Sequence, residues 1–499
     1  MAYAMQATLA AWLMATLTPS VFMVALVQTS SNGPFIVFGL FAGAIADIIE
    51  RRKIILVTQV LMFSVTLLLG IATVAGLVGP VSLLFATFVL GCGYTFYQPA
   101  QLASVNELVG RAELPHAMSL NSIANNMARA LGPASAGLLA ALLGTGSALI
   151  ASAMFFLMMI VGLRWTPKQV MLPGVPEKLL SGVASGMRYV WHSPALRVLV
   201  IKIVGFGFCA AAFWALLPVI ARDQLSLDAS GYGLLSGGFG LGAVVGALTL
   251  PFHLSRKQLN TVVNCGAVLW CVATFLIAVS HHVAFALIGA FGAGMAWVST
   301  FASMATAIQS SAPAWVRARA VATHFVAVFT SLAVGSIVWG AVASAADIRM
   351  AMAIAAILLL LLTAAARGMV LRLGEEANVL PGAPAPDHVF AVEPRPGDGP
   401  VLIQVEYRIA PADRDAFLQA ANAMDPIRRR NGASSWRVFR DLFEDDRVVE
   451  QFIIASWIEY VRLRTRLTIN DRQLQARVEA FQRPGIDIRV TRLIGIEKR

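Results

Sequence analysis

Charge is what this sequence lacks most. Charged residues make up 13% of its 499 positions and hydrophobic ones 58%, whereas a soluble domain is about 25% charged. A water-soluble fold is excluded for most of the chain. Cysteine is also scarce: Cys92, Cys209, Cys265 and Cys271 lie in apolar runs, without the spacing of a metal site or a disulfide framework. They read as small packing residues, and neither a metal nor another cofactor is expected. The sequence has no glycine loop of the phosphate-cradling kind, which argues against direct coupling to ATP. The first apolar run lacks a basic leader and passes straight into further runs rather than to a cleavage site.

What is present is apolar length. Runs of roughly 20 residues, enough for a helix to cross about 30 Å of hydrocarbon, recur from the start to about Arg372. In lipid each must be helical, because every backbone N–H and C=O needs an internal partner. Twelve are expected, over 2–17, 21–46, 54–75, 81–105, 117–143, 147–163, 196–221, 231–252, 261–280, 283–309, 318–345 and 350–370. The first is short and starts at Met1 without a flanking anchor, so either the helix is stunted or residues upstream of it complete it. Lys and Arg collect in alternate connections: Arg51, Arg52 and Lys53, then Arg111, then Arg256 and Lys257, then Arg317 and Arg319. Arg164, Lys168, Lys178 and Arg188 lie between the sixth and seventh runs, and Arg367 and Arg372 follow the last. Positive residues stay on the cytoplasmic side. A multi-pass protein of the inner (plasma) membrane with both termini cytoplasmic is therefore expected. This topology signal accounts for most of the net charge of +11, and no nucleic-acid partner is expected.

The expected organisation is a six-helix half over 1–165 and a cytoplasmic linker over 166–195, then a second six-helix half over 196–372. A further linker over 373–399 and a soluble domain over 400–499 follow. Within the first linker Leu180, Val183, Met187, Val190 and Trp191 recur at helical spacing, as in an amphipathic helix on a membrane surface or a solvated linker helix. Gly43-Ala44-Ile45 through Arg51-Arg52-Lys53 is echoed by Gly246-Ala247-Leu248 through Arg256-Lys257. Parallel repeats of this kind place a solute site between two halves that rock around it. In the tail, strand patterns near 401–407, 435–440, 448–454 and 486–493 alternate with helical stretches over 411–430 and 456–481, a β-α-β-β-α-β order.

A charge inside a span is costly and faces a cavity or a partner. Asn121, Asn125 and Arg129 recur every four residues and so share one helix face. They read either as a polar stripe lining a solute pathway, with Arg129 drawing an anionic solute, or as an arginine pinned to carbonyls at a helix contact. Tyr94, Tyr97 and Gln98 fall within one turn beside Pro99, which frees a carbonyl and bends the helix; they suit a flat, partly polar solute or simple packing. Trp297, Phe301 and His324 are the corresponding candidates in the second half, and Gln28 and Asn32 in the first. Asp47, Glu107, Asp223 and Asp347 all fall near run ends, so no carboxylate inside a span is available to carry a coupling proton. That role falls to His324, to residues upstream, or to no proton at all.

Gly43-x-x-x-Asp47-x-x-x-Arg51-Arg52 resembles the loop signature of the major facilitator superfamily, in which the aspartate and the basic residues favour one gate state. Ile48 and Glu50 depart from that pattern. Gly132-Pro133 with Gly137 is similar to the antiporter motif of the same superfamily, whose small residues let helices pack closely and bend. Asn32-Gly33-Pro34, Tyr97-Gln98-Pro99 and Ala128 to Pro133 resemble the superfamily's secretion-effector branch, over roughly 5–372. The tail resembles the ferredoxin-like domains of antibiotic-biosynthesis monooxygenases, which often pair through their sheets. The resemblance implies an α-helical major facilitator fold of two six-helix halves with an α+β tail. It implies a transporter rather than an enzyme, exporting a small amphipathic siderophore- or drug-like compound by alternating access. A coupling proton and homodimerisation through the tail are expected with it. The alternative is a transporter-derived sensor, or a fused protein whose tail does the chemistry.

Overall fold

A computed structural model describes residues 1–108, 113–163, 179–256, 258–313, 315–371, 379–380, 382 and 394–496. Outside the described side chains lie those of 44, 47, 48, 103, 105–108, 114–119, 121–123, 125, 126, 179–183, 255 and 256. The chain forms two compact units. One comprises Met1–Glu177, Val200–Ala305 and His324–Arg372; the other comprises Lys178–Leu199, Thr306–Thr323 and Leu373–Arg499.

The helices are, in order, α1 (Ala2–Leu17), α2 (Val21–Asn32), α3 (Pro34–Ile48), α4 (Arg51–Val74), α5 (Pro80–Leu108), α6 (Leu114–Leu143) and α7 (Thr145–Gly162). Then come α8 (Leu179–His192), α9 (Pro194–Val219), α10 (Ala229–Arg256), α11 (Leu259–Val279), α12 (Val283–Ser311), α13 (Arg317–Ala345) and α14 (Ile348–Ala365). Among the described residues ten segments are long and apolar enough to cross a membrane, with α2 and the start of α3 counting as one, Val21–Gly43. The two other expected spans are helical but shorter in apolar length. Helix α1 has 16 residues, and the apolar part of α6 is Met127–Leu143.

Local chemistry sets the breaks. Pro34 has no N–H to give the helix ladder, so α2 ends at Asn32 and α3 starts afresh. The freed carbonyls are covered by α5 at Gly91, where an added Cβ would lie 2.5 Å from the Ser31 carbonyl oxygen and 3.1 Å from that of Ser30. Gly144, at φ +82°, reverses the chain between α6 and α7. Pro218 near the end of α9 precedes a π-helical turn, Ile220–Gln224. Lys202 on α9 is buried and its Nζ donates to Asn260 Oδ1 at 2.8 Å; the same oxygen accepts the Leu371 N–H, so one lysine pins α9, α11 and the chain after α14.

In the second unit the tail forms an antiparallel sheet of order β2-β3-β1-β4, with β1 (Val401–Arg408), β2 (Ala433–Arg440), β3 (Arg447–Ile454) and β4 (Arg489–Ile494). Burial alternates along β1 and β3, which places Val401, Ile403, Val405, Tyr407, Phe452 and Ile454 in one core with Phe417. Each helical stretch expected in the tail is divided in two. Asp425-Pro426 restarts the first, giving α15 (Arg414–Asn422) and α16 (Asp425–Arg430). Thr468 caps the second, exchanging hydrogen bonds with Asp471 and separating α17 (Trp457–Arg466) from α18 (Ile469–Glu479).

Candidate functional site

Aromatic side chains of α1, α3, α5 and α13 form one chain of ring contacts. Tyr3 stacks on Tyr94 with centroids 3.9 Å apart and planes 6° from parallel, and it is hydrogen-bonded to Ser31. Tyr94 also meets Tyr97 and Phe35, each at 6.3 Å. Phe35 stacks on Phe329 of α13 at 3.9 Å, and Phe329 leads through Phe325 to His324. Tyr94, Tyr97 and His324 thus belong to one continuous run of rings. Arg129 is exposed on α6. The side chains of Asn121 and Asn125 lie outside the described ones.

Several buried polar atoms here have no hydrogen-bond partner among the described residues: Gln6 Nε2, Asn32 Nδ2, Gln98 Oε1 and His324 Nδ1. Such groups cost about 1–3 kcal/mol each when left unpaired, so each is a place where a bound molecule or water gains free energy. Gln28 is half-buried on α2, and its neighbour Thr29 donates from Oγ1 to the Ala333 carbonyl of α13 at 3.0 Å. Trp297 and Phe301, 4.0 Å apart, belong to a second cluster with Phe206, Phe213, Trp214, Phe239 and Trp270. Trp214 Nε1 is another buried donor without a partner among the described residues. Sequence reasoning named Trp297 and Phe301 but missed Tyr3, Gln6, Phe35 and the other five rings of this second cluster. The signal for Gln6 was a lone amide in an otherwise apolar helix. Those five rings gave none, because they come from α9, α10 and α11.

The Gly132, Pro133 and Gly137 group divides its work. Gly132 faces α1, where an added Cβ would lie 2.9 Å from that of Ala4; Gly137 faces α10, where it would lie 2.6 Å from the Gly233 Cα. Gly237 and Gly240 continue that α6–α10 seam against Ala134 and Ala130. In the gating-loop group Gly43 is half-buried on α3 and the Asp47 side chain lies outside the described ones. Arg51 Nε donates to the Ala46 carbonyl at 3.3 Å and Arg52 Nη2 to the Leu163 carbonyl at 2.9 Å. Both arginines therefore sit on C-terminal carbonyls of α3 and α7, where the helix dipoles favour cations. Away from that loop, Arg222 links the end of α9 to the α1–α2 connection: Nη1 donates to the Thr18 carbonyl at 3.0 Å while Asp223 holds the same guanidinium.

The profile of the transmembrane secretion effector family matches residues 1–499. The chain belongs to this family of major facilitator transporters. Among curated relatives, the multidrug efflux pump Tap of Mycolicibacterium fortuitum is 26% identical over 281 residues, 52% of this chain and 67% of that one. The enterobactin exporter EntS of Shigella flexneri is 28% identical over 247 residues, covering 47% of this chain and 55% of that one. The chain thus spans about half the length of that exporter. Among solved structures, the nucleoside transporter NupG aligns with TM-score 0.58 at 13% identity, over 74% of this chain and 95% of that one. A bacterial homologue of the lysosomal transporter Spinster, inward-facing and unoccupied, aligns with TM-score 0.56 at 12% identity, over 73% and 93%. Members of this family are multi-pass membrane transporters rather than enzymes, as the sequence implied.

Proposed function

We propose that this protein is a secondary active exporter of a small amphipathic compound, working by alternating access between two six-helix halves. The observation that carries the reading is the run of rings from Tyr97 through Tyr94 and Phe35 to Phe329 and His324, bordered by unpaired amides. It joins α5 and α3 of one half to α13 of the other, so a solute held there touches both bodies that must move. Arg129 is exposed on α6, which fits a side chain lining an opening rather than one pinned at a contact. Export rather than uptake follows the named activities of Tap and EntS and the small-residue seam at Gly137. On this reading α1 and α6 complete twelve spans and both termini are cytoplasmic.

The proton that drives export is assigned to His324, whose Nδ1 is buried without a partner among the described residues. For the tail, the β2-β3-β1-β4 order supports a ferredoxin-like domain. The sheet face opposite its helices carries Leu402, Val449, Ile453, Phe439 and Leu493, the surface through which two copies would pair.

Arg129 provides the test. Arg129→Ala is expected to lower the export rate about tenfold at unchanged membrane abundance, as for loss of a charged hydrogen bond worth about 1.5–3 kcal/mol. Arg129→Lys should keep much of the rate. An alanine variant that exports at the wild-type rate would remove Arg129 from the pathway.

A further inference from the structure

Three parts of the sequence far from one another meet in the second unit. Helix α8 brings Ser185, Gly186 and Tyr189, all buried; the α12–α13 connection and the first turn of α13 bring Trp315 and Arg319; the C-terminal domain brings Arg430 from α16 and Arg466 from α17. The Arg466 guanidinium carbon lies 4.0 Å from the Trp315 ring centroid. Trp315 meets Tyr189 edge-on, at 5.2 Å and 86°, and the Arg430 guanidinium carbon stands 5.5 Å over the Tyr189 ring. Each cation is held by its own carboxylate, Arg430 by the buried Asp471 and Arg466 by Glu459 at 3.6 Å. Beside this stack Arg319 Nη1 donates to Ser185 Oγ at 3.0 Å, and its stem lies on Gly186, where an added Cβ would come within 2.7 Å of the Arg319 Cβ.

We propose that the C-terminal domain is a releasable clamp on the protein's own α8 and α12–α13 connection, and that clamping restrains the transport cycle. Among the described residues the contact includes two cation–π pairs and one edge-on ring pair, each of modest strength, beside the packing of α16 on α8. Each pair is weak enough for one substitution to loosen the contact. Helices α12 and α13 also carry Trp297, Phe301, His324 and Phe329. A contact that fixes the linked ends of those two helices in one arrangement biases the cycle toward the state in which that arrangement occurs.

The test uses the full chain in nanodiscs and needs no cargo for its first readout. Amide hydrogen exchange over 185–190 is expected to rise about fivefold in Arg466→Ala. It should rise similarly in Trp315→Leu, which alters the other side of the contact, with no further increase in the double variant. Arg466→Lys, which keeps the cation, should exchange like wild type. In cells, Arg466→Ala and Trp315→Leu should both export about two- to fivefold faster than wild type. Unchanged exchange in the single variants, or additive effects in the double variant, would show that the stack does not hold α8. Faster exchange with an unchanged or lower export rate would overturn the restraint. Because exchange is read without cargo, failure of docking is separable from failure of the transport assignment on which the second readout rests.

Discussion

Valine in place of Gly240 is expected to abolish transport. A Cβ at that position would overlap the Ala130 Cα and come within 2.7 Å of the Arg129 carbonyl oxygen and 2.8 Å of the Ala130 nitrogen. All three are backbone atoms of α6, which cannot rotate away as a side chain would, so α6 and α10 must separate along their whole seam. Overpacking of this kind costs about 1–3 kcal/mol in a soluble core. Here it acts where α6 and α10 cross, at the backbone of Arg129 and Ala130, so a loss of export greater than about tenfold is expected at normal membrane abundance. Gly238→Ala is the control: its added Cβ would meet the flexible end of Leu287 at 3.3 Å, and export should stay close to wild type. Initial export rates, normalised to protein in the membrane, check both.

The second large effect concerns the tail. Glu450 and Arg428 are both buried and paired, with Arg428 Nε 3.0 Å from Glu450 Oε1, and the same oxygen accepts the Trp436 Nε1–H at 2.9 Å. Burial by itself would raise the Glu450 carboxyl. The Arg428 guanidinium outweighs that, helped by hydrogen bonds from Arg428, Trp436 and Tyr407, and the carboxyl sits below its ordinary 4.5. A depressed carboxyl contributes stability that is complete above the unfolded-state value and is lost as pH falls through the folded-state value. The C-terminal domain should therefore lose stability as the medium is acidified below about pH 4.5. Glu450→Gln leaves a buried arginine without its counter-charge, and breaking such a pair costs about 3–5 kcal/mol. The variant should melt at a markedly lower temperature at neutral pH and lose this part of its acid dependence. Tryptophan fluorescence of the full-length protein, followed from pH 7 to pH 3, measures both; equal melting of variant and wild type would show that the pair contributes nothing net.

Much of the bundle was legible in the sequence because apolar length is a strong signal. The runs starting near Val21, Ile54, Val81 and Leu196 all became segments long enough to cross, but the run over 21–46, expected as one helix, breaks at Gly33-Pro34 into α2 and α3. Where a run was short, as at Ala2 to Leu17, the count of spans fell to ten, since length is the criterion itself. The candidate site was only partly legible. Tyr94 and Tyr97 stood out because they share a helical turn, but Tyr3, Phe35 and Phe329, which continue the run, come from three other helices, and no local pattern pairs residues on separate helices. The contact of α8 with the C-terminal domain was hidden for the same reason. Helical spacing showed that α8 has an apolar face, but not that Tyr189 on that helix meets Trp315 and Arg430.

Export is measured by accumulation of labelled siderophores and toxic dyes in cells that express the protein or lack it, with and without a protonophore. Lower accumulation of at least one compound is expected in expressing cells, restored to the control level by the protonophore. Equal accumulation of every compound, with the protein confirmed in the membrane, would contradict export.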